Sequence, residues 1–240
     1  DGIRDRDVTG VQTCVLPIFF AGLEGALRAW EYGPNLALFV PAQNPGRADY
    51  LQVNPVVALR YFPKSEINFL PTPANDIFRK TKRPNAYRIF VMGESTTEGW
   101  PYPSGVMFSR FVWRRLSDLF PDREIEIVNT GITALNSYAL RDFTDEILDQ
   151  HPDAIIVYAG HNEYYGAFGV ASTIAPSRLR PLLEMNLFFE RFKTFLLVRD
   201  AVDFFRPQRA GPGNSPDQAT LMARVIGNAR VAYRSPDYET

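Results

Sequence analysis

Three short apolar runs in the chain end in glycine: YRIFVMG (87–93), EIEIVNTG (124–131) and DAIIVYAG (153–160). The first and third are nearly continuous and the second alternates, and each is long enough to predict a strand of a sheet buried on both faces. Between the first two lies GVMFSRFVWRRLSDLFP (105–121), in which Met107, Phe108, Phe111, Val112, Leu116, Leu119 and Phe120 are spaced for one helical face. Pro121 and Asp122 stop it. Between the last two lies NSYALRDFTDEILDQHP (136–152), with Asn136 or Ser137 as the cap and Leu140, Phe143, Ile147 and Leu148 predicted on one face. Strand, helix, strand, helix, strand predicts α/β architecture with a parallel sheet.

Outside this unit the pattern weakens. Residues 29–86 are proline-rich, hold no sustained helical period, and predict a loop-rich lead-in that wraps a core. Residues 181–205 predict a long aromatic-rich amphipathic helix or a helix pair, which reads as core or as packing against further parts of the protein; the other reading is a substrate lid or membrane-facing surface. A loop over 206–218 and a further helix over 217–233 follow. The first 18 residues, DGIRDRDVTGVQTCVLPI, match neither period. They resemble the translated read-through of a sequencing adapter; the other reading is a disordered tail. The next stretch, FFAGLEGALRAWEYG, is charged at Glu24 and Arg28 and too short to span a bilayer, which takes about 20 apolar residues. It reads as the remnant of an anchor.

Composition narrows the chemistry. The 240 residues are 45% hydrophobic and 22% charged, with a formal net charge of −1 and no basic stripe, which argues against nucleic acid as a partner. One cysteine, Cys14, excludes an internal disulfide, and two histidines, His151 and His161, argue against a metal centre. No cofactor is implied.

If the three strands are parallel, their glycine exits share one edge, where open α/β sheets hold their reactive groups. Gly93-Glu94-Ser95, Asn129-Thr130-Gly131 and Gly160-His161-Asn162-Glu163 then converge. Ser95 offers a nucleophilic oxygen, Gly131 a backbone N–H with no Cβ in the way, and Asn162 a neutral side-chain N–H. A nucleophile beside convergent donors suits acyl transfer, because the carbonyl oxygen becomes an anion in the transition state. His161 is disfavoured as the base because the neighbour of Asn162 on an extended chain points away, and His151 is predicted at the opposite sheet edge. Trp100 and Tyr102 are equally readable as an acyl-pocket lining or as surface aromatics. Neither Gly-x-Gly-x-x-Gly nor a Lys-Ser/Thr phosphate loop is present, and Thr97 stands where an α/β-hydrolase elbow needs its second glycine.

GEST, NTGITALNS and GHNE, in that order at strand ends, resemble the three leading blocks of the SGNH or GDSL-type hydrolase superfamily of esterases and lipases. The resemblance covers about residues 87–165. It implies a three-layer α/β/α flavodoxin-like parallel sheet, incomplete at the C-terminus, within a hydrolase domain spanning 87–240. It further implies Ser95 as nucleophile, with the N–H groups of Ser95, Gly131 and Asn162 forming the oxyanion hole. The substrate would be a small-molecule or glycan ester. The lead-in is similar to that of bacterial members with an N-terminal membrane anchor, which implies a periplasmic or membrane-anchored location. Glu94 and Glu163 replace the family's aspartates conservatively. The family's Asp-x-x-His block is absent before Thr240, so the catalytic His and Asp are expected downstream and the 240-residue chain is expected to have little esterase activity. An O-acyltransferase of envelope polysaccharide or a non-catalytic glycan-binding relative would share the same site.

Overall fold

The computed structural model describes residues 4–43, 46–62, 70–169, 172 and 180–205. The expected loop over 206–218 and helix over 217–233 lie outside these residues. All three expected strands form: β4 (Ala86–Gly93), β5 (Glu124–Asn129) and β6 (Ala154–Tyr158). They make one parallel sheet in the order β5-β4-β6, with Val91 opposite Asn129 and Gly93 opposite Tyr158. The chain is therefore α/β, and all three exits lie on one edge.

Side chains alternate across β4, so the sheet buries two faces. Ile89 and Val91 pack with Ile125 and Ile127 against Phe108, Val112 and Leu116 of helix α3 (Phe108–Leu119). Phe90 and Met92 pack with Val128 against Ala139, Leu140, Phe143 and Ile147 of helix α4 (Ser137–Leu148). Each fully buried Phe here contributes about 1.5–3 kcal/mol.

Four residues assigned to inner helical faces stand outside. Phe111 is 63% exposed, and Leu119, Phe120 and Leu148 are also exposed. The inner stripe of α3 is the i, i+4, i+8 row from Phe108, and that row alone covers the three-stranded sheet. For the same reason β6 is less buried than its apolar run suggests, with Val157 60% exposed. Among the described residues its one strand neighbour is β4.

The lead-in holds more structure than its prolines suggest. Strands β1 (Phe39–Pro41), β2 (Tyr50–Val53) and β3 (Ile77–Arg79) form a small antiparallel sheet. Leu38, Val53, Val57, Tyr61, Phe62 and Phe78 from this segment share one core with Phe90, Val128 and Phe143. Buried Arg60 locks the segment to α4 by donating to the carboxylates of Asp142 (2.8 Å) and Glu146 and to the carbonyl of Leu36.

A single helix, α1 (Arg4–Ala29), runs through the N-terminal stretch in which no period was legible. The predicted segment at 181–205 is a helix pair, α5 (Arg180–Phe189) and α6 (Lys193–Phe205). Glu24 of α1 accepts from the N–H groups of Lys193 and Thr194 at 3.1 and 2.9 Å, docking α1 on the start of α6. Among the described residues, no helix is long and apolar enough to cross a membrane.

Candidate functional site

At the end of the central strand β4 the backbone passes through Gly93 and Glu94 into α2 (Ser95–Glu98), a single helical turn lying across the sheet edge. Two glycines make that approach feasible. A Cβ on Gly93 would sit 2.0 Å from Thr97 Oγ1 and 2.2 Å from the Tyr158 carbonyl. A Cβ on Gly131 would sit 2.6 Å from the Glu98 nitrogen and 2.9 Å from the Thr97 carbonyl carbon. The turn is fastened to both neighbouring strands: the Thr97 hydroxyl donates to the Tyr158 carbonyl (3.1 Å), and Asn129 Nδ2 donates to the Thr97 carbonyl (2.6 Å). Asn129 is itself fixed, its own N–H donating to Asp76 Oδ2 (2.8 Å), which Arg110 of α3 also holds.

Ser95 occupies the first position of this turn and is half-buried. Its N–H has no acceptor within the helix, as first-turn N–H groups never do. Its hydroxyl makes no hydrogen bond to another described residue.

Gly131 is brought beside this turn, but its N–H is occupied. It donates to Asn129 Oδ1 at 2.8 Å, closing a local turn. The glycine is thus required by the approach of α2, where the sequence suggested the approach of a ligand. Asn162 is 6% exposed, and its Nδ2 is buried without a hydrogen-bond partner in the structure. A buried donor left unpaired costs about 1–3 kcal/mol and calls for an explanation. Asn136, just before α4, is fully buried with both amide atoms unpartnered.

Three carboxylates, unread from the sequence as site residues, join the loops. Glu94 is fully buried and accepts from the N–H groups of Gly160 (2.9 Å) and His161 (3.1 Å). Glu98 accepts from the N–H of Thr133 (2.9 Å) and from its hydroxyl. Glu163 accepts from the N–H (3.0 Å) and hydroxyl (2.6 Å) of Ser137 at the start of α4. Burial raises the Glu94 carboxyl above its ordinary range, with Glu163 adding repulsion against the opposing Gly160 and His161 hydrogen bonds. Burial likewise raises Glu98 against its Thr133 bonds. The signal for these clamps is that Glu94 and Glu163 stand inside GEST and GHNE and Glu98 three residues past Ser95, but acids in polar turns are too common to single out.

His161 lies with Nδ1 3.6 Å from Glu94 Oε2 and its ring edge-on to Tyr158; its side chain is 52% exposed, whereas that of Asn162 turns inward. The two residues do diverge, though on a series of turns rather than on extended chain. His151 sits after α4 at the opposite sheet edge with φ 53°. Trp100 and Tyr102 are both exposed. Two concavities, about 270 Å³ beside Arg60 and Lys193 and about 400 Å³ beside Arg79 and Trp113, include none of Ser95, Gly131 or Asn162.

No family model, curated protein or solved structure matches this chain.

A serine hydroxyl, a first-turn N–H and a buried unpaired carboxamide N–H stand at neighbouring strand ends. Among the described residues no cluster of His, Cys, Asp or Glu could hold a metal ion.

Proposed function

We propose that this chain carries the nucleophile and oxyanion half of a serine ester hydrolase of SGNH/GDSL type, built on a flavodoxin-like α/β/α sheet and acting on carboxylic esters. One observation carries the reading: the Asn162 amide is a buried donor without an acceptor, at the strand end beside Ser95. The sheet order supports it, since the chain leaves β4 toward β5 on one side and returns to β6 on the other. The gap between β4 and β6 is then the switch point at which open α/β sheets bind ligands.

In the proposed reaction the Ser95 oxygen attacks the ester carbonyl and its proton passes to a base. The carbonyl oxygen becomes an oxyanion that accepts from the Ser95 N–H and Asn162 Nδ2. The alcohol then departs with a proton, and water releases the acid from the acyl-serine by the reverse sequence. Gly131 contributes only by sharing the N–H that Asn129 holds. The base is the missing element, because the sequence contains no Asp-x-x-His and Ser95 hydrogen-bonds no described histidine. Loss of a triad member can cost on the order of 10⁶ in turnover.

The occupied Gly131 N–H and the unpaired Ser95 hydroxyl favour one second reading, a non-catalytic domain that binds acylated glycans. An aryl acetate assay of the 240-residue chain with and without imidazole separates the two. The hydrolase reading predicts turnover near background alone and a Ser95-dependent increment when imidazole supplies the base. Identical rates for wild type and Ser95→Ala under both conditions would sink it.

A further inference from the structure

The three carboxylate clamps are not scattered. Three loops leave the C-terminal edge of the sheet, and each clamp joins a different pair of them. Glu94, after β4, holds the backbone of Gly160 and His161 after β6. Glu98, in the same β4 loop, holds Thr133 after β5. Glu163, after β6, holds Ser137, where the β5 loop enters α4. The connections close on themselves, β4 loop to β6 loop to β5 loop and back. Every clamp uses an acid against a backbone N–H, the charge-assisted form of hydrogen bond.

We propose that Glu94 is a positioning residue for Asn162, and that Glu94, Glu98 and Glu163 form a closed ring that sets the three strand-end loops as one unit. Asn162 follows directly on the two residues whose N–H groups Glu94 holds, so its side-chain direction is set from a buried carboxylate rather than by its own Nδ2, which has no partner. Glu94 touches no reacting atom. Its length matters: it crosses from the end of β4 to the far side of the β6 exit, a span that aspartate would shorten by one methylene. The consequence for catalysis rests on the hydrolase reading, whereas the ring itself does not.

Amide exchange on the full 240-residue chain tests the ring without reference to activity. Glu163→Gln alters an exposed pair and leaves the core untouched. It is expected to speed exchange not only at Ser137 but also at Thr133, Gly160 and His161, while Val91 and Val128 of the sheet keep wild-type rates. Glu94→Gln is expected to do the same and to shift the Asn162 side-chain NH₂ signals. A Glu163→Gln effect confined to Ser137, or equal acceleration in the sheet, would overturn the ring.

Phenylboronic acid separates this failure from failure of the hydrolase reading. Boron accepts the Ser95 oxygen, the hydroxyl proton leaves to solvent, and the tetrahedral boronate places an oxygen at the donors. Glu94→Gln is expected to weaken wild-type binding on the order of 10²-fold, the effect of a small misplacement at a reacting centre. Unchanged affinity in Glu94→Gln would overturn the positioning role and spare the hydrolase. No binding by wild type, with exchange coupled across the loops, would sink the hydrolase and spare the ring.

Discussion

Replacing Gly131 by alanine perturbs the site through one atom. The Gly131 backbone lies outside the left-handed region, so alanine meets no conformational bar there. Its methyl would instead approach the Glu98 nitrogen to 2.6 Å and the Thr97 carbonyl carbon to 2.9 Å, and backbone atoms cannot rotate away. Either α2 lifts from the sheet edge or the β5 exit moves. Overpacking of this kind costs about 1–3 kcal/mol. For a chain of this size, about 2–4 °C of Tm accompanies each kcal/mol, so a fall of about 2–12 °C is expected. Lifting α2 also strains the Asn129 Nδ2 bond to the Thr97 carbonyl and displaces Ser95. Thermal unfolding by circular dichroism provides the measurement, with Gly105→Ala as control because nothing lies within 4 Å of a Cβ there. Equal melting of Gly131→Ala and Gly105→Ala, with unchanged boronate affinity, would refute the claim that Gly131 is required by close approach of α2.

Asn162→Ala is expected to cost about 10²–10³ in Ser95-dependent, imidazole-assisted turnover without lowering Tm, because the donor it removes has no partner in the fold. Arg60→Met removes the guanidinium that Asp142 and Glu146 share, leaving Asp142 with the Tyr61 hydroxyl and Arg191 and Glu146 with the Leu38 N–H, and is expected to lose about 1.5–3 kcal/mol in urea unfolding. Burial raises the Glu24 carboxyl, but bonds from Thr194, Lys193 and Arg28 outweigh it and hold it at about 2. A carboxyl lowered on folding stabilises the native state above its unfolded value of 4.5 and loses that contribution as pH falls toward 2. The stability difference between wild type and Glu24→Gln is therefore expected to be level above that value and to shrink below it; a difference that grows on acidification would contradict the docking of α1 on α6.

The parallel sheet was legible because β4, β5 and β6 are local apolar runs that need no partner to be recognised. The antiparallel sheet was not. Its strands are three or four residues long, and its pairings, such as Gln52 with Ile77, join segments separated by proline-rich chain. Spacing alone could not say which apolar residues of α3 face inward, since Phe111 and Phe108 differ only in which row the narrow sheet covers. The placement of Ser95, Gly131 and Asn162 after neighbouring strand ends on one sheet edge followed from parallel topology plus glycine exits. The engagement of the Gly131 N–H by Asn129, and the pairing of Glu94, Glu98 and Glu163 with particular N–H groups, depend on loop geometry that no short-range pattern encodes.

Peptide mapping of the chain after exposure to a fluorophosphonate, with imidazole present, asks whether Ser95 is the nucleophile. A phosphonyl adduct is expected on Ser95, absent from Ser95→Ala and strongly reduced in Asn162→Ala. Labelling spread over surface serines, with Ser95 unmodified, would contradict it.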